Sequence, residues 1–312
     1  MTAQGETNYE GMIGQKGDIV HGPYPVSLAS IGYLAEALED ERLADQVASG
    51  GKFAAPRSFV TIASRVPNWR RKKATGPSTF MQAVLLPLPA NSAVNMSVDQ
   101  VYFAPLYPGD TISSQSTITG IVPKKTRLGE GFIITEDIDH LNQNGVLVAR
   151  TINTLLRFVK PESSDKTPPK AAEPLPAKPL VIPASDFPPV SMPITMTALA
   201  KGAAAVRDFS PLHHDVDFAR SVGHPTAFLS YSHQMSFVVR ALGEWLGGDD
   251  RLQRLKLSMK TSIYLGRTCV CTGVRQKTDN PQPGIETIEV TLTSEDGTCT
   301  PGIAEVQTAG AR

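Results

Sequence analysis

One succession of strand-like and turn-like segments occurs twice along this chain, and that duplication limits its possible folds more than any other feature. Tyr102 to Thr111 carries a Pro-Gly-Asp turn and leads into an alternating apolar stretch, Ile112 to Val122. Phe132 to Leu141 follows, then the turn Asn142-Gln143-Asn144-Gly145, then Val146 to Val159. Asn-Gly between apolar runs is a strong hairpin signal, because glycine tolerates the positive φ that a tight turn needs. In the second half, Lys260 to Thr268 leads into Cys269 to Arg275. Thr287 to Thr293, the turn Ser294-Glu295-Asp296-Gly297 and a closing run, Ile303 to Thr308, complete the series. Gly109 to Gly145 spans 36 residues and Gly266 to Gly297 spans 31. Each half therefore reads as strand, glycine turn, strand, tight turn, strand, a unit repeated once.

Between the copies lies Pro161 to Pro193, which holds ten of the chain's 25 prolines. Proline removes backbone donors and disfavours helix in the residue before it, so this segment reads as an extended linker laid along a surface. At 312 residues the chain suits two domains. The boundaries read as a first domain over 1–160, a linker over 161–193 and a second domain over 194–312. Helical sequence precedes each strand block. Val26 to Leu43 has apolar residues at helical spacing, and Thr197 reads as the N-cap of Ala198 to Val206. Thr226 to Leu246 reads as one long helix, with Phe228, Tyr231, Met235, Val238, Val239, Leu242 and Trp245 at steps of three and four. Gly247-Gly248 would stop it. A long, mostly apolar helix followed by antiparallel strands predicts a sheet wrapped around a buried helix. That is the hot-dog arrangement, here twice, giving an α+β protein with two antiparallel sheets, each around a long central helix.

Charge excludes some roles. Thirty Lys+Arg against 30 Asp+Glu leave no bulk electrostatic footprint for nucleic acid or an anionic membrane, so neither is an expected partner. No apolar run reaches the ~20 residues of a membrane span, and Met1 to Asp18 does not read as a secretory signal. Cys269, Cys271 and Cys299 are odd in number and lack paired metal-ligand spacing; they read as reduced thiols in a cytoplasmic protein. No glycine-rich phosphate loop, dinucleotide fingerprint or metal-ligand spacing occurs.

The chemistry-bearing stretch is Asp208-Phe209-Ser210-Pro211-Leu212-His213, followed by Ala219. An acid and an imidazole five residues apart, with a proline between, can be aimed by one turn into a common cleft, where they could hold a water and move its proton. A helix end followed by a turn would use the same residue types. His214 with Asp215 is a rival pair, but neighbouring residues point to different sides. His224 and His233 read as surface or packed histidines.

Asp208, Pro211, Leu212, His213 and Ala219 match, in type and spacing, the motif of the MaoC-type (R)-specific enoyl-CoA hydratases, and the chain resembles the fused double hot-dog form of that family. Ser210 stands where the family usually has Asn. The resemblance implies hydration of a 2-enoyl-CoA to a 3-hydroxyacyl-CoA, or the reverse dehydration, as in fatty acid metabolism. Asp208 would take a proton from water, and His213 would hold that water and help deliver a proton to the α carbon. Backbone N–H groups near the start of the long helix would steady the developing oxyanion. The family commonly has His-Gly there; this chain has Phe228-Leu229-Ser230-Tyr231, with Ser230 the best candidate. Ser210, Phe228, Ser230 and Tyr231 are the expected substrate contacts. Arg70 and Arg71, in the run Trp69 to Lys73, could meet coenzyme A phosphates or be a solvated loop; Lys124-Lys125-Thr126-Arg127 has similar standing. The resemblance implies no metal and no cofactor beyond the coenzyme A of the substrate, and a homodimer. The first half, with Glu39 to Asp45 and no histidine or proline there, reads as a copy without catalytic groups. Thioester hydrolysis and non-catalytic acyl-CoA binding are the alternatives.

Overall fold

The computed structural model describes residues 9–67, 79–159, 176, 178–277 and 283–308. Its framework is one ten-stranded antiparallel sheet rather than two separate ones. The strands are β1 (Val20–His21), β2 (Ser92–Tyr102), β3 (Ile112–Thr126), β4 (Gly129–Asn142), β5 (Leu147–Phe158), β6 (Val190–Pro193), β7 (Leu252–Ser258), β8 (Thr268–Arg275), β9 (Ile285–Ser294) and β10 (Gly297–Gln307). Their order across the sheet is β1-β3-β4-β5-β2-β7-β10-β9-β8-β6. The two hairpins read from Asn144-Gly145 and Asp296-Gly297 are β4–β5 and β9–β10, with Gly145 and Gly297 at φ 74° and 97°. The halves meet where β2 pairs with β7, in register from Ser97↔Ser258 to Val101↔Arg254. Arg254 straddles that seam. Its Nε and Nη2 donate to both carboxylate oxygens of Asp99, at 2.8 and 2.7 Å.

The helices are α1 (Leu28–Leu38), α2 (Glu41–Ser49), α3 (Phe59–Ser64), α4 (Met196–Ala205), α5 (Val216–Ser221) and α6 (Tyr231–Leu246). Helix α6 is the long central helix of the second half, but it begins at Tyr231 rather than Thr226. Phe228 forms a β-bridge with Tyr264 and Leu229 N–H donates to the Ile263 carbonyl, so the preceding residues are extended until Ser230 caps the helix. Phe237, Val238, Ala241 and Leu242 of α6 share one core with Val290 and Leu292 of β9 and with Cys269 and Cys271 of β8. Each of the larger apolar side chains among them, Phe237, Val238, Leu242, Val290 and Leu292, contributes roughly 1.5–3 kcal/mol.

The first half differs. The stretch Val26 to Leu43 is broken in two: Glu39 takes the left-handed conformation (φ 55°) as the C-cap of α1, and Asp40 caps α2 by accepting from Leu43 N–H. Helix α3, which packs against β3 and α6, is only six residues long, all buried. Over this half of the sheet apolar clusters, among them Ile118, Ile134 and Leu155, alternate with a buried polar network. His140 lies between Ser64, Ser114 and Thr151, and Glu136 accepts from Ala83 N–H, Ser116 and Asn153. All these partners are satisfied, which is what allows polar groups inside a fold.

The proline-rich segment does not stay linker-like to its end. Val190–Pro193 pairs with β8, Asp186 accepts from Arg275 N–H, and Phe187 packs on Trp245 in the core. Extended backbone with few donors suits an edge strand. The N-cap of α4 is Thr195, whose hydroxyl accepts from Ala198 N–H at 3.0 Å, two residues before the Thr197 expected.

Candidate active site

Helix α4 delivers the Asp208 motif. The chain leaves the helix through Arg207, which takes a left-handed φ of 56°. That conformation costs a non-glycine residue about 1 kcal/mol, and it turns the backbone so that Asp208 N–H still bonds Ala203 O. Pro211 then opens a single 3-10 turn over Pro211–His213, proline being pre-set for a first helical position. His213 N–H closes the turn on the Ser210 carbonyl. This turn brings the two side chains together: Asp208 Oδ2 lies 3.8 Å from His213 Nε2, and each side chain is 12–13% exposed.

His213 Nδ1 lies 2.9 Å from the Phe228 carbonyl. A carbonyl oxygen only accepts, so Nδ1 carries the proton and donates. In the neutral ring Nε2 is therefore the acceptor, and it is Nε2 that faces Asp208. Burial holds the imidazole below its usual value; Asp208 and the Phe228 carbonyl oppose that shift in part, while Arg65 and His214 add to it. The site thus offers two acceptors, a carboxylate oxygen and an imidazole nitrogen, at a separation that one water molecule can bridge.

Arg65 was not legible as a site residue. It sits at the C-terminal end of α3, in the first half, and places Nη1 at 3.4 Å from Asp208 Oδ2. Its Nη2 donates to Ser232 Oγ in the first turn of α6 at 2.8 Å. The rival pair is not assembled: His214 is exposed, and Asp215 caps α5 by accepting from Phe218 N–H. His233 is packed, as read, but lies next to the site. It is 1% exposed on the first turn of α6, its Nε2 has no partner, and burial together with His213 lowers its pKa to about 4. His224 stacks on Phe228.

The expected substrate contacts fare differently. Phe228 sets its ring edge-on to His213 at 5.2 Å. Ser210 lies partly buried in the motif loop. Ser230 is the N-cap of α6, its hydroxyl accepting from His233 N–H, and is 3% exposed. Tyr231 packs against the core. The amides of Phe228 and Leu229 are not open for an oxyanion, because they donate to the carbonyls of Leu212 and Ile263. Arg70 and Arg71 lie outside the described residues, and Lys125 pairs with Glu130 at the exposed β3–β4 turn. On the far side of Phe228, whose ring meets Tyr264, a cleft of about 270 Å³ is lined by Arg220, Pro225, Thr226, Tyr264 and Arg267, among others.

Three comparisons bear on this arrangement. Residues 28–151 match the family model of the FAS1-like dehydratase domain region; that span includes Arg65 and ends before the Asp208 motif. A probable enoyl-CoA hydratase alpha subunit from Thermomonospora curvata is 31% identical over 173 residues, covering 52% of this chain and 54% of the relative. The chain thus spans about half the length of the curated relative it matches. Among solved structures, a MaoC-like dehydratase superposes with a TM-score of 0.71 at 16% identity, covering 96% of this chain and 99% of the other. A conserved hypothetical protein of Mycobacterium tuberculosis described as a double hot-dog fold superposes with a TM-score of 0.59 at 13% identity, covering 95% and 96%. The fold is a double hot-dog.

Proposed function

We propose that this chain is a MaoC-like hydratase that adds water across the double bond of a 2-enoyl-CoA thioester, or removes it from the matching 3-hydroxyacyl-CoA, a reading that its likeness to dehydratases and to an enoyl-CoA hydratase subunit supports. The observation that carries the reading is the 3.8 Å approach of Asp208 Oδ2 to His213 Nε2, with the imidazole tautomer set by the Phe228 carbonyl. A water held by both acceptors presents its hydrogens to them and its lone pairs outward, toward the β carbon of a bound enoyl group. The thioester carbonyl draws electrons from the double bond. As the C–O bond forms at the β carbon, one O–H bond breaks and its proton passes to Asp208, while the other hydrogen stays on the oxygen as the new hydroxyl, held by its hydrogen bond to His213 Nε2. The proton is then returned to the α carbon, so that atoms and charge balance. Negative charge on the thioester oxygen in between calls for donors, and helix N-termini supply them. With the Phe228 and Leu229 amides engaged, the first turn of α6 beyond Ser230 is the remaining source of N–H groups beside the pair. The cleft beside Tyr264, bordered by Arg220, supports the reading as a concave place for the anionic carrier of the thioester.

The test mixes purified protein with crotonyl-CoA and with longer and branched enoyl-CoAs, following conjugated absorbance and free thiol together. Absorbance loss without thiol release is the expected result. Thiol release would make the chain a thioesterase, and binding without either would make it an acyl-CoA-binding subunit. Asp208→Asn and His213→Ala should each lower turnover at least ~100-fold, the scale for losing an acid–base group; near-normal rates in both would remove the pair from the reaction. The proposed assembly is a homodimer of these fused pairs, checked by light scattering. The proposed location is the cytoplasm, in keeping with three buried thiols in free form.

A further inference from the structure

We propose that Arg65, contributed by the first half, is a positioning residue for the Asp208–His213 pair, so that the half without a histidine motif is nevertheless part of the active site. The inference rests on the hydratase reading above and deepens it. Three elements meet at this guanidinium. Its own backbone caps the C-terminus of α3, Nη1 reaches Asp208 in the loop after α4, and Nη2 donates to Ser232 at the start of α6. A planar fork can hold two acceptors in fixed relative positions, which a flexible ammonium cannot. Here the two acceptors are the reacting carboxylate and the helix end from which oxyanion donors would come. The side chain is 18% exposed, and its Nε is buried without a partner. A buried N–H left unsatisfied is a cost to stability, so this arrangement is not the one packing alone would favour. The next arginine is also turned to this spot: Arg207 donates to Ile62 O of α3 and stacks on Tyr24. The Asp208 loop is thus tied to the first half at its left-handed residue, Arg207, and again at the acid that follows it.

Nothing in the sequence around Arg65, Ile62-Ala63-Ser64-Arg65-Val66-Pro67, has the form of a motif. The second half contains the acid and the imidazole but no cation paired to Asp208; among the described residues Arg65 is the cation that forms that ion pair. A displacement of about 1 Å in a catalytic group can cost ~100-fold in rate. Loss of the fork should therefore appear in kcat rather than in KM.

The experiment compares wild type with Arg65→Met and Arg65→Lys, each checked for folding by thermal melting, with two readouts. The first is steady-state hydration of crotonyl-CoA. Arg65→Met should lower kcat by about 30–100-fold with KM within about threefold, and Arg65→Lys should recover part of the loss. The second readout does not need activity: the titration of the His213 ring followed by NMR. The charged or titratable groups acting on that ring are Asp208, Arg65 and His214, with His233 facing it from α6. Removing the Arg65 charge should move the His213 midpoint up while Asp208, His214 and His233 stay in place. Unchanged kcat in a folded Arg65→Met protein, or an unmoved His213 midpoint, overturns the proposal. Should Arg65→Met fail to fold, Arg65→Gln, which also removes the charge, is read against the same two criteria. A wild-type protein inactive on every enoyl-CoA refutes the hydratase reading instead, and the NMR shift then still decides whether Arg65 acts on the pair.

Discussion

Replacing Gly202 by alanine sets two physical effects against each other, and the structure says which wins. Gly202 lies inside α4, where alanine is favoured over glycine by about 0.5–1 kcal/mol. A Cβ built there meets the His233 ring at 1.9 Å from Nδ1 and 2.2 Å from Cε1. That falls about 1.5 Å short of the 3.4 Å at which ordinary contact begins. His233 has no room to withdraw, since its ring is 1% exposed on a helix whose first turn is almost wholly buried. Forcing an extra methyl into such a place costs roughly 1–3 kcal/mol, toward the upper end where the neighbour cannot move. The net effect is a loss of about 1–2 kcal/mol, a fall of roughly 2–6 °C in Tm. The functional effect should be larger, because the same clash pushes apart α4, which leads into Asp208, and the start of α6, which carries Ser232. The assay is a double-mutant cycle in urea, with Gly202→Ala, His233→Ala and the pair. His233→Ala alone empties a buried volume and destabilises by about 2 kcal/mol or more. In the double variant the new methyl enters the space the ring has left. The pair should therefore be more stable than the sum of the single effects by at least about 1 kcal/mol. A Gly202→Ala protein as stable as wild type, or a strictly additive cycle, would refute the packing argument.

Acid should destabilise the protein through its interior histidines. His140 and His233 are both pushed down to about 4 by burial, so the unfolded chain binds protons that the folded chain refuses. Their penalty is absent above the unfolded value of about 6.5 and grows as pH falls from there toward 4, approaching about 3 kcal/mol for each. Thermal melts between pH 7 and 4 check this, and a flat Tm over that window would contradict it. At the β2–β7 seam the two partners of the Asp99–Arg254 pair should behave unequally. Asp99 is 8% exposed and Arg254 38%. Arg254→Met strands a buried carboxylate and should cost about 3 kcal/mol, whereas Asp99→Asn leaves a guanidinium that water can reach and should cost clearly less. Urea unfolding of both variants decides; equal losses would show that the exposure difference does not govern the energetics.

How much of this was readable beforehand varied with the range of the interactions. The hairpins were legible because Asn144-Gly145 and Asp296-Gly297 meet a local requirement for positive φ. The interior of α6 was legible because its apolar spacing extends over four turns. Its first residue was not, since the Phe228–Tyr264 bridge that holds the chain extended spans 36 positions. The break at Glu39 was hidden for a related reason. Apolar periodicity continues across it, and only the Asp40 cap, a short-range signal overshadowed by the pattern, marked it. Strands β2 and β7 were less legible because each pairs on one edge with the other, across the two halves, and the face they bury is only partly apolar. Within the site, Asp208 and His213 share one turn and were found together. Arg65 is 143 positions from Asp208, and sequence spacing says nothing about a contact that two folded halves create.

The β2–β7 junction has a thermodynamic corollary. Two hot-dog units on separate chains would have to find each other, and their union would loosen on dilution. Here both strands belong to one polypeptide, so their encounter is governed by an effective concentration fixed by the tether rather than by how much protein is present. Each copy could then diverge without losing its mate. One could keep the imidazole motif while the other, relieved of that duty, kept a six-residue helix and a buried polar network among its apolar clusters.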